Sequence, residues 1–126
     1  MTKKKILLVD DEPKFTQLVR LNLENTGAYE VAEVNSASLV VKTAEKVHPD
    51  LILLDVMMPV MSGGDVEALL KVHPTLKNVP ILYLTAAVTQ VEAGGQDYHC
   101  GRRLFLAKPI TLAALLAAIK TTLRQQ

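Results

Sequence analysis

The sequence places reactive side chains directly after four of its five predicted strands. These are Asp10 and Asp11 after the first strand, Asp55 after the third, Thr85 after the fourth and Lys108 after the fifth. Carboxylates gathered in one site repel one another, at roughly 4 kcal/mol for a pair about 4 Å apart at an effective dielectric of about 20. Mg²⁺ relieves this repulsion because it accepts carboxylate, carbonyl and water oxygens. The three acids therefore predict a Mg²⁺ site.

Asp55 is the acid placed to react. It follows the apolar run at 51–54, and Pro59 prevents that run from continuing as a central strand. A carboxylate beside Mg²⁺ can attack a phosphoryl group and form an aspartyl-phosphate. The ammonium of Lys108 and the hydroxyl of Thr85 could then donate to the phosphoryl oxygens. These residue types together predict phosphoryl chemistry at Asp55.

Alternating strand and helix patterns must position these side chains. Apolar runs at 6–9, 51–54, 79–84 and 104–107 predict buried strands, and the alternating segment 30–34 predicts a strand nearer an edge. A helical pattern follows each strand, which predicts an α/β fold with a parallel sheet, right-handed crossovers and helices on both faces. The carboxyl ends of the strands then share one edge, where such sheets bind ligands.

Each of the stronger helical patterns has one apolar face and recognisable ends. Pro13 suits a first helical turn, Ser36 and Thr111 can cap helices, and His48-Pro49 ends the second helix. The predicted buried faces are Phe15, Leu18, Val19 and Leu23; Ala37, Val40, Val41, Ala44 and Val47; Val66, Leu69 and Leu70; and Leu112, Leu115, Leu116, Ile119 and Leu123.

Two segments fit this scheme less well. Residues 88–98 are expected to form a poor helix, since Gly94 and Gly95 each cost roughly 1 kcal/mol relative to alanine. Gly101 is its expected stop. The second strand ends in Asn35-Ser36, which offers no reactive group comparable with those of the other four ends.

Composition narrows the class of protein. The 126 residues suit one domain, and 49% apolar with 21% charged residues favour a packed core. A net charge of +1 gives no reason to expect direct binding to nucleic acid or to an anionic membrane. The lone Cys100 and the short apolar run after the basic start predict a cytoplasmic protein without signal peptide or membrane span.

Four motifs at compatible spacing resemble the receiver domain of bacterial two-component response regulators. The resemblance covers the chain from about Lys4 to about Leu123. The motifs are Asp10-Asp11, Asp55-x-x-Met58-Pro59-x-Met61-x-Gly63, Leu84-Thr85-Ala86 and Phe105-Leu106-Ala107-Lys108-Pro109. The resemblance implies a flavodoxin-like (βα)5 doubly wound parallel sheet with strand order 2-1-3-4-5. It also implies a single receiver domain over residues 1–126, either standing alone or belonging to a longer regulator or hybrid kinase.

The resemblance further implies a phosphoacceptor role for Asp55. The phosphoryl group would come from the phosphohistidine of a sensor histidine kinase or histidine phosphotransfer protein. Mg²⁺ would be held by Asp10, Asp11, Asp55 and the backbone carbonyl of Met57. The protein would catalyse at most its own phosphorylation and dephosphorylation.

The resemblance implies a switch at the far strands. Thr85 would move towards the phosphoryl group, Phe105 would swing inward, and Lys108 would bridge the phosphate and the acid pair. The face formed by the fourth helix, fifth strand and fifth helix would bind a partner or mediate dimerisation. Arg102-Arg103 depart from the family pattern, as does the Gly94-Gly95 pair, in the region that should deliver the output.

Alternative functions remain open at this point. A receiver-like interaction module could have altered or lost phosphorylation. A Mg²⁺-dependent aspartyl-phosphate phosphatase would need a second acid two residues after Asp55, where Met57 stands. No glycine-rich phosphate loop supports a nucleotide or flavin site. Since Met57 and Ala87 offer a water no polar contact, we expect moderate to slow autodephosphorylation.

Overall fold

A central β-sheet organises the chain. The structure is a computed structural model that describes residues 3–55, 63–85, 97–100, 103–107 and 110–124. Six strands form this sheet in the order β2-β1-β3-β4-β6-β5. The strands are β1 (Lys4–Val9), β2 (Tyr29–Val34), β3 (Leu51–Asp55), β4 (Ile81–Thr85), β5 (Asp97–Cys100) and β6 (Arg103–Ala107).

The predicted order of the parallel strands is confirmed. Strands β2, β1, β3, β4 and β6 pair in parallel, and β6 is the fifth strand that the sequence predicts. Val9 pairs with both Val34 and Leu54, and Asp55 pairs with Leu84. This register brings the carboxyl ends of four strands to one edge of the sheet.

The described helices cover both faces of this sheet. They are α1 (Pro13–Glu24), a short 3-10 turn (Ala37–Leu39), α2 (Val40–Val47), α3 (Gly63–Lys71) and α4 (Leu112–Arg124). One buried cluster joins Leu8 and Leu53 to Leu23 of α1 and Ile119 of α4. The other joins residues of β1 and β3 to α2 and α3. Alternation along β1 and β3 therefore splits their side chains between two cores. Residues 6–9 of β1 and all of β3 are buried on both faces.

Strand β5 contradicts part of the predicted helix at 88–98. Asp97 and Tyr98 lie in a strand that pairs antiparallel with β6, with Asp97 opposite Leu106. The two glycines disfavour a helix, and pairing satisfies the backbone groups along the otherwise open edge of β6. The rest of that predicted helix, with Gly94-Gly95, and the residues Gly101 and Arg102 lie outside the described residues.

Three leucines of the predicted helix faces are exposed instead. Leu18 is 59% exposed, Leu69 45% and Leu112 38%. On α1 the buried side is formed by Thr16, Val19 and Leu23. These residues follow the i, i+3, i+7 spacing of a helix face, which leaves Leu18 about 100° away from Val19 around the axis. Periodicity alone had assigned a wider apolar face than the sheet covers.

The predicted helix ends have mixed outcomes. Pro13 opens α1, and the hydroxyl of Thr111 accepts a hydrogen bond from the backbone N–H of Ala114 at 3.1 Å, as an N-cap does. His48 ends α2 in the left-handed conformation, with φ of 54°. The predicted cap at Ser36 is wrong, because its hydroxyl lies 2.9 Å from the hydroxyl of Ser38 and makes no capping bond.

Candidate functional site

Three acids meet where β1 and β3 end. Asp10 follows β1 and Asp55 closes β3, and pairing of Val9 with Leu54 makes these two strand ends neighbours. Asp10 is fully buried, Asp55 is 3% exposed, and Asp11 is exposed. One carboxylate oxygen from each of the three lies within 4.8 Å of those of the other two. The fold thus brings Asp55 together with Asp10 and Asp11, which precede it by 45 and 44 residues in the sequence.

This donor set suits a hard divalent cation. In the described part of the chain it consists of carboxylate oxygens, the ligands that Mg²⁺ and Ca²⁺ accept, and not of the sulfur or imidazole that would favour Zn²⁺. Two buried carboxylates beside a third repel one another strongly, and a cation would offset that repulsion. The exposed Asp11 leaves one side of the group accessible to solvent. The three acids therefore form a group that could hold a metal ion.

The neighbouring strand holds the main chain of Asp10. The backbone N–H of Asp10 donates to the carbonyl of Val34 at 3.0 Å, which extends the ladder between β1 and β2 by one residue. The Asp10 carboxylate accepts a bond from the backbone N–H of Glu12 at 3.0 Å. The side-chain amide of Asn35 donates to the Asp10 carbonyl at 2.9 Å. Asp10 is thus held through its N–H, its carbonyl and its carboxylate.

Asn35 is a site residue that sequence reasoning missed. The end of the second strand was expected to offer no reactive group comparable with those of the other strand ends. Asn35, the first residue after β2, nevertheless donates a hydrogen bond to the Asp10 carbonyl. The signal was available in the predicted strand order, since β2 lies beside β1 in a 2-1-3 arrangement. Any polar residue directly after β2 must lie close to the residue directly after β1.

A chain of polar contacts continues from Asn35 along α1. The same amide nitrogen donates to the hydroxyl of Thr16 at 3.0 Å, and this hydroxyl lies 2.7 Å from a carboxylate oxygen of Glu33. Thr16 is fully buried. The Arg20 guanidinium then bridges Glu33 and Glu24, at 3.2 Å from each. These contacts join the first turns of α1 to β2.

The charges at the outer end of this chain stabilise one another. Hydrogen bonds to Glu33 and then Glu24 raise the pKa of Arg20 above its ordinary value. The backbone N–H of Val31, with Arg20 as a further cause, lowers the pKa of Glu24. Both groups are therefore charged at neutral pH.

The remaining predicted site residues are described in part or not at all. The backbone of Thr85 ends β4, opposite Ala107 of β6 and one residue beyond the partner of Asp55. Tyr83 pairs with Phe105 in the same ladder. The side chains of Thr85 and Phe105 lie outside the described part of the chain, as do all of Met57, Ala87 and Lys108.

Comparison with known families settles the class of domain. The family model of the response regulator receiver domain matches residues 6–120. The chain belongs to this family. The resemblance seen in its strand-end motifs is confirmed, and so is the signalling role that goes with a receiver domain.

Individual relatives agree with this assignment. The receiver domain is 37% identical over 128 residues to the alkaline phosphatase synthesis transcriptional regulatory protein PhoP of Bacillus subtilis, covering 97% of this chain and 49% of that protein. It is 33% identical over 121 residues to the DNA-binding dual master transcriptional regulator RpaA of Synechocystis, covering 96% and 49%. The chain spans about half the length of these curated relatives.

A solved structure supports the fold. The chemotaxis protein CheY4 of Vibrio cholerae superimposes with a TM-score of 0.80 at 28% identity, covering 96% of this chain and 99% of that one. The flavodoxin-like receiver fold is therefore confirmed. Among the described residues, no helix combines the length and the apolar character needed to cross a lipid bilayer.

Proposed function

We propose that this receiver domain accepts a phosphoryl group on the carboxylate of Asp55, and that Mg²⁺ is required. The observation that carries the proposal is the meeting of three carboxylates, two of them buried, at the ends of adjacent parallel strands. Receiver-family membership supports the assignment. The proposed donor is the phosphohistidine of a sensor histidine kinase or of a histidine phosphotransfer protein.

In the proposed reaction, an oxygen of Asp55 attacks the phosphorus and a new O–P bond forms. The N–P bond of the phosphohistidine breaks, and the imidazole leaves with the electron pair and takes up a proton. Bound Mg²⁺ would supply positive charge to the phosphoryl oxygens, with Asp10, Asp11, Asp55 and the backbone carbonyl of Met57 as its proposed protein ligands. Asp55 is only 3% exposed, which limits the contact of its carboxylate with bulk water.

The proposed output involves the far strands. Lys108 and Thr85 are proposed to donate to the phosphoryl oxygens, and Phe105 to change position with Thr85. Thr85 ends β4, which pairs with β3, and Phe105 belongs to β6, which pairs with β4. A change at Asp55 therefore has a short path through β4 to β6. A partner or further domain would bind the face formed by the predicted fourth helix, by β6 and by α4, which are the predicted fifth strand and fifth helix. Two copies of the domain could also associate through this face.

The wider setting of the domain is also a proposal. The curated relatives are named as transcriptional regulators, and the part of them that this chain does not match could carry the output. For this domain we propose partner or domain contacts in the cytoplasm and no direct contact with nucleic acid. We propose no turnover of external substrates, because Met57 stands where a phosphatase of this chemistry would need an acid.

Phosphorylation with a small phosphodonor tests the proposal. The domain is incubated with acetyl phosphate and Mg²⁺, and intact mass with peptide mapping locates the modification. With Mg²⁺ we expect one phosphoryl group on Asp55. We expect no phosphorylation when EDTA is present during the incubation, and none in Asp55→Asn. An unmodified wild-type domain, or equal modification of Asp55→Asn, would contradict the proposal. Steady release of phosphate from phosphomonoesters would favour the phosphatase instead.

A further inference from the structure

We infer that Asn35 is a positioning residue for the acidic site, acting through the main chain of Asp10. The inference rests on the proposed Mg²⁺ site and adds a residue to it. Asn35 is neither a carboxylate nor one of the proposed metal ligands. Its side-chain amide reaches the carbonyl of Asp10 at 2.9 Å and the hydroxyl of Thr16 at 3.0 Å.

The orientation of this amide follows from its partners. The carbonyl oxygen of Asp10 can only accept a hydrogen bond, so the nitrogen of Asn35 must face it. The amide nitrogen carries two hydrogens, and each has one acceptor, the Asp10 carbonyl and the Thr16 hydroxyl. The single hydrogen of that hydroxyl has two acceptors within reach, the Glu33 carboxylate at 2.7 Å and the Pro13 carbonyl at 3.1 Å. The shorter bond, to Glu33, is charge-assisted. Every donated hydrogen of Asn35 and Thr16 in this series of contacts therefore has an acceptor.

The contact fixes the part of the backbone that sets the direction of two acids. The carbonyl of Asp10 belongs to the peptide that joins Asp10 to Asp11, so its rotation would move both side chains. Val34 holds the N–H of Asp10 at the other side of the same residue. Hydrogen bonds from neighbouring residues that orient metal ligands commonly set metal affinity. Asn35 therefore contributes to the geometry of the site without contacting a ligand carboxylate.

Thr16 accepts the second hydrogen bond of the Asn35 amide, from the helix side. It is buried in the first turns of α1 and is held by Glu33, which in turn contacts Arg20. Replacing Thr16 by valine would keep the shape and leave the Asn35 contact with Asp10 in place. The two residues thus allow the positioning role to be separated from a general contribution to stability.

The experiment compares Asn35→Ala with Thr16→Val and with a matched control, Asn25→Ala. Asn25 is an exposed asparagine directly after α1, at the end of the helix away from the acids. Mg²⁺ affinity is measured by calorimetry, and exchange of the Glu12 amide hydrogen is measured by NMR in EDTA. The Glu12 amide is chosen because it donates to the Asp10 carboxylate.

For Asn35→Ala we expect Mg²⁺ to bind about three- to tenfold more weakly and the Glu12 amide to exchange several times faster. We expect Thr16→Val to weaken Mg²⁺ binding by less than about twofold, and Asn25→Ala to match the wild type.

Unchanged Mg²⁺ affinity in Asn35→Ala, or an equal loss of affinity in Thr16→Val, would overturn the inference. A wild-type domain that binds no Mg²⁺ would contradict the proposed metal site, whereas unchanged Glu12 exchange in Asn35→Ala would separately refute the positioning role.

Discussion

Asp10 and Asp55 lie at the ends of adjacent parallel strands, and both carboxylates are buried beside each other and near Asp11. This arrangement is unfavourable for folding without a cation, because like charges in a partly desolvated site repel one another. The same arrangement favours binding of a divalent cation. Stability and function are therefore expected to oppose each other at this site.

Asp10→Asn tests this opposition. Without Mg²⁺ we expect the variant to be more stable than the wild type by about 1 kcal/mol, because one of three clustered charges is removed. Its amide oxygen can still accept the bond from the Glu12 N–H. In urea unfolding with EDTA its midpoint should rise, while Mg²⁺ affinity falls at least about tenfold. Glu30→Gln, at an exposed acid of β2, is the matched control and should show neither effect.

The buried strand beneath Asp55 should tolerate truncation poorly. Leu53 is completely buried, so Leu53→Ala is expected to reduce the free energy of unfolding by about 2–5 kcal/mol. Leu18→Ala provides the contrast, since Leu18 is 59% exposed and should change stability by less than about 0.5 kcal/mol. Urea unfolding followed by circular dichroism measures both. Similar losses in the two variants would contradict the placement of the α1 face.

The contacts of Glu24 predict a specific pH dependence. Its pKa is lowered in the folded state by the Val31 N–H and by Arg20, so folding favours the charged carboxylate. This stabilisation is present above the ordinary value of 4.5 and is lost as the pH falls through it towards the lower folded pKa. Glu24→Gln should therefore be less stable than the wild type at neutral pH, by less than about 1 kcal/mol because the ion pair is solvent-accessible.

The difference between Glu24→Gln and the wild type should shrink as the solution is acidified below pH 4.5, the ordinary carboxyl value. Urea unfolding at a series of pH values gives this comparison, with Glu30→Gln again as the control. A difference that stays constant over the acidic range would show that the charge of Glu24 is not the cause.

The lifetime of the proposed phosphoryl group is the fourth prediction. Neither Met57 nor Ala87 can hydrogen-bond an attacking water, so we expect phosphorylated Asp55 to persist beyond seconds in Mg²⁺ buffer. Met57→Asn supplies a polar side chain at one of these positions and should shorten the lifetime. Quenched time points analysed by intact mass measure the decay. Loss within seconds in the wild type would contradict the prediction.

Much of the fold could be read from local patterns. The apolar runs that became β1, β3, β4 and β6 are long enough to be strands and too apolar to lie at the surface, and βα alternation then leaves few possible sheet orders. Because parallel strands share a direction, the residues after them must share an edge. The sequence alone therefore predicted that Asp10, Asp11 and Asp55 would meet.

Tertiary structure decided the features that depend on a neighbouring element. Leu18 is apolar but exposed, whereas Thr16 is polar but buried, because packing against the sheet determines which side of α1 is covered. The same packing brings the Thr16 hydroxyl within hydrogen-bond distance of Asn35. Asp97–Cys100 pairs with β6, a partner that local helical periodicity cannot reveal. Asn35 contacts Asp10 across 25 residues of sequence. Such contacts arise from the register between β1 and β2, and that register forms only when both strands have paired.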